Sequence, residues 1–312
     1  MTDSASRRWR ALRFALGVLY VAFFVQQVGA KGFPFDRERL FLWIGGALAI
    51  SCLGRPWRRA LQLLGDWVPL AAILVLYDIS RGLADNIGAP IQRQLPIRLE
   101  KFIFFGHLPT EFLQKQFLPT GSSISWWELA ISVIYASHFL VPFLTAGILW
   151  SRSRTEWRRW VNRFLLISFG GLLTYAILPV APPWMSSTNG LLPPLERPIG
   201  RGWGRVHFEA ATKLLNEGRI VLNPVAAIPS LHAAYSMLLV SFMWKRVRQP
   251  VLRWAMFAYP LAMSFALVYG AEHYVIDVFI GWLYVWFAFL LARRLEAGWA
   301  LRRLNTSAQG GT

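Results

Sequence analysis

Pro229-Ser230-Leu231-His232 and His273-Tyr274-Val275-Ile276-Asp277 stand at the two ends of an apolar hairpin, 228–244 followed by 251–270, and a third apolar run, 274–292, continues from the second motif. Each run has the length a helix needs to cross the hydrocarbon core of a bilayer, roughly 17–25 residues. A membrane hairpin returns the chain to the side it left, so both histidines and the carboxylate fall at one membrane face.

Working outward, five more apolar stretches precede these three, at 11–29, 40–54, 61–79, 127–150 and 161–181. The second is short and the third holds Asp66 near its start. The expected fold is an all-α, polytopic membrane helix bundle of about eight transmembrane helices. Composition agrees: 55% of the 312 residues are hydrophobic, with 16 Trp and 22 Phe and a mean hydropathy of +0.39, which excludes an ordinary soluble domain.

A formal charge of +17 raises the question of nucleic acid, but the basic residues come in short clusters between apolar runs and form no continuous stripe. An even count of spans puts five clusters on one side: Arg7, Arg8, Arg10 and Arg13; Arg55, Arg58 and Arg59; Arg152, Arg154, Arg158 and Arg159; Lys245, Arg246, Arg248 and Arg253; Arg293, Arg294, Arg302 and Arg303. The positive-inside rule makes that side, with both termini, cytoplasmic. The longer connections 80–126 and 182–227 then face outward, their basic residues diluted by Asp85, Glu100, Glu111, Glu196, Glu209 and Glu217. Within the first, 95–105 and 109–118 read as short amphipathic helices lying in the interface. The predicted location is an integral, multi-pass protein of the cell membrane with an external active site.

No small-residue cleavage site follows the first apolar segment, so it reads as an uncleaved first span. The single cysteine, Cys52, excludes an intrachain disulfide framework and a cysteine-based zinc site. No repeat or second soluble domain is evident. The reading is one membrane-embedded domain over 1–304 and a disordered tail, 305–312.

The chemistry sits in the two motifs. Ser230 is a candidate helix N-cap, and the amide-rich first turn behind it favours phosphate oxygens. His232 would lie beside a bound phosphate and can donate a proton to a leaving oxygen. Taken alone, this motif reads equally as a cap followed by an interfacial histidine. His273 and Asp277 are spaced i,i+4, so they share a helical face. The carboxylate can hold one ring nitrogen as N–H, leaving the other to attack phosphorus, and can stabilise the cation that forms. The opposing reading, an Asp paired with His only to avoid a lone charge, is weakened because ionisable groups at membrane depth are functional by default.

The order P-S-L-H, hairpin, H-Y-V-I-D resembles the type-2 phosphatidic acid phosphatase superfamily. The wording AAIPSLHAAY with AEHYVID looks like its inositol phosphorylceramide synthase-like branch. The resemblance covers about residues 75–292 and implies a six-helix catalytic core, lipid substrates, no cofactor or metal, and a phosphohistidine intermediate. It makes His273 the nucleophile, Asp277 its partner and His232 the acid and then base. The broader superfamily has a basic phosphate-binding motif before the first histidine and an arginine six residues before the second. This chain has Tyr175 through Trp184 at the first place, including Ala181-Pro182-Pro183-Trp184, and Leu267 at the second. The Ala-Pro-Pro-Trp wording is similar to the synthase-like branch and points to head-group transfer.

A cation must still cradle phosphate. Arg197, Arg201, Arg205, Lys213 and Arg219 precede His232 in the external loop, and Arg219 and Arg205 are the candidate phosphate-binding residues beside Ser230. Asp78 and Arg81 could bind a polyol head group or form an interfacial ion pair with Asp85. His138, mid-span, reads as a polar helix contact. His107 and His207 have no metal-ligand spacing, so no metal site is expected. Membrane lipids are the expected partners and nucleic acid is not. The alternatives are a phosphatase acting on phosphatidate or polyprenyl (pyro)phosphate, and a non-catalytic lipid-binding or transport protein. A haem protein is disfavoured because His232 and His273 stand at span ends.

Overall fold

A chain in hydrocarbon has no water to satisfy its N–H and C=O groups, and a helix satisfies them within one segment. The computed structural model describes residues 3–31, 34, 37–84, 89–118, 124–206 and 225–309, and the regular elements among them are all helical. In chain order these are α1 (Asp3–Lys31), α2 (Arg37–Cys52), α3 (Trp57–Ala84), α4 (Gln94–Ile103), α5 (Pro109–Phe117) and α6 (Trp126–Arg152). Then come α7 (Arg154–Ile177), α8 (Pro183–Thr188), a 3-10 helix (Pro198–Val206), α9 (Leu231–Met243), α10 (Pro250–Tyr269) and α11 (Val275–Gln309). The only β pairing among the described residues is two isolated parallel bridges, Gln92 with Val180 and Val180 with Ala226.

Six helices are long and apolar enough to cross a membrane, over Arg7–Ala30, Trp57–Ser80, Trp126–Arg152, Arg154–Ile177, Pro250–Tyr269 and Val275–Gly298. The chain is a multi-pass membrane protein. Two of the eight expected spans are shorter helices, Arg39–Cys52 and Leu231–Met243. The 13 residues of α9 cover about 20 Å at 1.5 Å each, less than the ~30 Å of a hydrocarbon core. Pro229 stands just before its cap, and after Met243 the charged run Lys245, Arg246 and Arg248 leads to Pro250 at the start of α10. At the other end of the chain α11 runs to Gln309, past Asn305 where the sequence reading begins the tail.

Large apolar side chains point outward all along the long helices, among them Leu19, Val21, Leu76, Val251, Leu283 and Phe287. In water such a surface would aggregate; against lipid tails it is the expected face. The polar groups turn inward instead. Helix α4 buries Ile97 and Glu100 while Phe102 is 84% exposed, and α5 buries Thr110 and Gln114 while Phe112 is 63% exposed.

The described structure divides into two compact units, interleaved along a chain that reads as one domain. The first holds residues 1–88, 115–157 and 196–224. In it α2 packs against α1, α3 and α6, and α6 against the 3-10 helix. Asp66, the charge inside the third apolar run, is fully engaged there. Arg154 grips both its oxygens, Nε to Oδ2 at 2.5 Å and Nη2 to Oδ1 at 2.6 Å, and Trp150 Nε1 donates at 2.9 Å. A buried charge paired in this bidentate way avoids most of the cost of an isolated one.

The second unit holds residues 89–114, 158–195 and 225–312. Here α9 packs against α10 and α11, and α11 against α4. Close approach of α11 to the start of α9 requires Gly281, because a Cβ there would lie 2.5 Å from the Ser230 carbonyl oxygen. Gly281→Ala should therefore lower the thermal midpoint in detergent, at a cost of about 1–3 kcal/mol for an overpacked contact. Gly45→Ala is the control, since its Cβ meets nothing within 4 Å. That change should be neutral or stabilising, as alanine is the better helix former.

Candidate active site

The two motifs meet inside the second unit. Ser230 takes extended backbone angles and its Oγ accepts the Ala233 N–H at 3.4 Å, so it caps α9 as its sequence position implies. Its own N–H donates to the Asp277 carbonyl at 3.1 Å, and Tyr175 Oη donates to the Pro229 carbonyl at 2.6 Å. These bonds tie the first motif to α11 on one side and α7 on the other. The imidazoles of His232 and His273 then lie with ring centres 5.9 Å apart.

Leu267, in the last turn of α10, is wholly buried, and its carbonyl accepts the N–H groups of both Glu272 at 3.0 Å and His273 at 3.3 Å. The position where the broader superfamily has an arginine thus serves here to close a turn. Ala271, at φ 55°, reverses the chain so that His273 emerges just before α11. The Ala-Pro-Pro-Trp stretch buttresses the same turn. Trp184 N–H donates to the Ala271 carbonyl at 3.0 Å, and Tyr274 Oη to Ser186 Oγ at 3.2 Å.

Asp277 is completely buried in the first turn of α11. Its Oδ2 accepts the Tyr274 N–H at 2.8 Å and lies 3.3 Å from His273 Nδ1. The contact is long beside the roughly 2.7–2.9 Å of a charge-assisted bond, as contacts of resting sites often are. Nδ1 is the ring nitrogen that faces the carboxylate, so a proton held there would leave Nε2 unprotonated.

Glu100 is the site residue that the sequence reading missed. It is fully buried and reaches from α4 to the same helix start, its Oε1 accepting the Val275 N–H at 3.0 Å and its Oε2 the Ile276 N–H at 3.3 Å. An α-helix leaves its first N–H groups without helical partners. Here Asp277 takes one and Glu100 the next two, so two carboxylates share one helix terminus. A signal for Glu100 exists in the sequence: it lies three residues after Ile97, on the buried stripe of an amphipathic helix.

The other candidates are placed as follows. In the first unit, Arg201 Nε is 3.1 Å from Glu128 Oε1, and Arg205 Nη1 donates to the Ile124 carbonyl at 2.6 Å. Asp78 is exposed near the end of α3, in the same unit. The Arg81 side chain, Arg219, Lys213 and His207 lie outside the described residues.

With this geometry in view, the chain belongs to the PAP2 superfamily, which it matches over residues 99–291, more than half its length. Both histidine motifs fall within the matched stretch. The chain is also similar to a phosphoinositol dihydroceramide synthase of Bacteroides thetaiotaomicron, at 30% identity over 165 residues, covering 49% of this chain and 52% of that protein. It therefore spans about half the length of the curated relative it matches. No solved structure matches it.

Glu100 gives a pH test of the site's architecture. Burial, opposed by the two N–H groups and reinforced by Asp277, pushes its carboxyl up from 4.5 to about 7. Between those values the folded protein holds a proton that the unfolded chain has released, so stability must fall as pH rises through this window and level off above it. Thermal midpoints in detergent from pH 4.5 to about 8 should show this slope in wild type and lose it in Glu100→Gln. The same slope in both proteins would place the titration elsewhere.

Proposed function

We propose that this chain is a membrane lipid phosphotransferase that moves a phosphorylated, inositol-phosphate-like head group from one lipid to the hydroxyl of another at the external membrane face. The observation that carries the reading is the Asp277 carboxylate 3.3 Å from His273 Nδ1, beside a second imidazole whose ring centre is 5.9 Å away. The similarity to a phosphoinositol dihydroceramide synthase supports the choice of head group.

In the first half-reaction His273 Nε2 attacks phosphorus and the bond from phosphorus to the lipid alcohol breaks. His232 gives that leaving oxygen its proton. The head group is then held on His273 by a P–N bond, and Asp277 offsets the positive charge of the ring. In the second half-reaction the acceptor hydroxyl loses its proton to His232 and attacks phosphorus, and the P–N bond breaks. His273 returns to its resting tautomer and His232 regains its proton, so no metal or cofactor is consumed.

The α11 terminus is occupied by carboxylates, so the reading assigns the anionic oxygens to the α9 terminus behind Ser230, with Arg205 or Arg219 as the cation. Asp78 and Arg81 are its head-group ligands. The same chemistry with water as acceptor is the second reading, a phosphatase for phosphatidate or polyprenyl (pyro)phosphate, which membership of the PAP2 superfamily favours.

Purified wild type and His273→Ala, given phosphoinositide and prenyl-phosphate donors with diacylglycerol or ceramide acceptors, separate these readings by lipid mass spectrometry and phosphate release. A new phosphodiester lipid made by wild type, and reduced at least about 10³-fold in the variant, is expected for loss of a covalent nucleophile. Inorganic phosphate without a transfer product would replace the transferase reading with the phosphatase one. Full activity in His273→Ala would sink both.

A further inference from the structure

The second unit contains a cavity of about 830 Å³ far from the histidines, inside the ~300–1,000 Å³ range of ligand sites. It is bounded by the start of α7, the end of α9, the start of α10 and the middle of α11. Arg293 lies about 27 Å beyond Val275 at 1.5 Å per residue along α11, nearly one hydrocarbon thickness of ~30 Å, so this cavity opens at the opposite membrane face.

Its lining has two parts. Arg159, Arg163, Lys245, Arg246 and Arg293 supply positive charge against a single acid, Glu296. That acid is spent on Arg163, whose Nη1 donates to Oε1 at 2.8 Å and Nη2 to Oε2 at 3.3 Å. The rest is mainly aromatic, and Trp286, 56% exposed, and Leu290, 36% exposed, open the wall sideways toward the lipid-facing surface.

Two buried donors on this lining have no acceptor among the described residues: Nε of Arg163, a residue only 5% exposed, and Nε1 of Trp282. Buried N–H groups are nearly always satisfied, so a pair of them on a basic cavity wall calls for an acceptor from outside the chain. Oxygen acceptors, net negative charge and a long apolar body are together the chemistry of one class of molecule.

We infer that this cavity binds an anionic phospholipid of the leaflet opposite the catalytic pair, with its phosphate on the basic rim and an acyl chain along Trp282, Trp286 and Phe289. Arginine suits the rim, since its planar fork pairs with phosphate oxygens. The Arg163 guanidinium already lies 4.9 Å over the Phe289 ring, where basic rim and aromatic wall join.

Native mass spectrometry of the delipidated full chain, titrated with phosphatidylglycerol or phosphatidylcholine in one detergent, tests the site. Wild type should retain one phosphatidylglycerol at least about tenfold more tightly than phosphatidylcholine, as expected for two or more cations each worth ~1 kcal/mol. The double variant Lys245→Gln, Arg246→Gln should lose that preference, whereas Arg7→Gln, Arg8→Gln, a basic pair that is not part of the cavity lining, should keep it. Equal retention of the two lipids by wild type, or an undiminished preference in the cavity variant, would overturn the inference. Should the cavity variant fail to fold, salt titration of wild type decides: phosphatidylglycerol retention must weaken with salt more than phosphatidylcholine retention, and equal salt responses would refute the site.

Discussion

The start of α11 is the constraint on which the site rests. A helix that begins inside a protein must find acceptors for its first N–H groups, and here Tyr274, Val275 and Ile276 donate to two buried carboxylates, Asp277 and Glu100. The same Asp277 oxygen that accepts from Tyr274 is the one facing His273. Capping and the contact with His273 therefore use one carboxylate, and the helix cannot shift without moving the histidine's partner. A bond from Ser230 to the Asp277 carbonyl carries the constraint to the first motif.

Around this point the second unit is built with its polar groups inward. Glu100 reaches the first turn of α11, and Gln114 Nε2 donates to the Tyr269 carbonyl at the last turn of α10, at 2.7 Å. Two short amphipathic helices thus each supply one polar side chain to the end of a longer helix. Their apolar residues point out, with Phe102 and Phe112 well exposed. This inversion of the usual soluble pattern follows from a solvent that cannot satisfy polar groups but accepts apolar ones.

Much of this was legible in sequence because it is local. Apolar run length located the long helices, the Pro-Ser pair placed the α9 cap, and the i,i+4 spacing put Asp277 beside His273. The meeting of His232 and His273 followed from hairpin logic alone. The unread parts are long-range. Glu100 meets α11 only after folding, and nothing near it in the chain names Val275 or Ile276 as its partners. The engagement of Arg201 with Glu128 and of Arg205 with the Ile124 carbonyl likewise depends on the 3-10 helix lying against α6. Run length also overstated α9, whose ends are set by Ser230 and the charges after Met243. Leu267, at a place where the resemblance leads one to expect an arginine, is wholly buried, and its backbone carbonyl closes the turn before His273, a bond that does not depend on the side chain.

The central claim is that His273 carries the head group covalently between donor and acceptor. Wild-type protein incubated with a donor lipid labelled at the head-group phosphate, quenched in alkali without acceptor and mapped by mass spectrometry, addresses it directly. The account predicts label on His273 through a P–N bond that is stable in base, labile in acid, and discharged when a hydroxyl acceptor is added. Turnover with label on another residue, or with no labelled protein under single-turnover conditions, would contradict it.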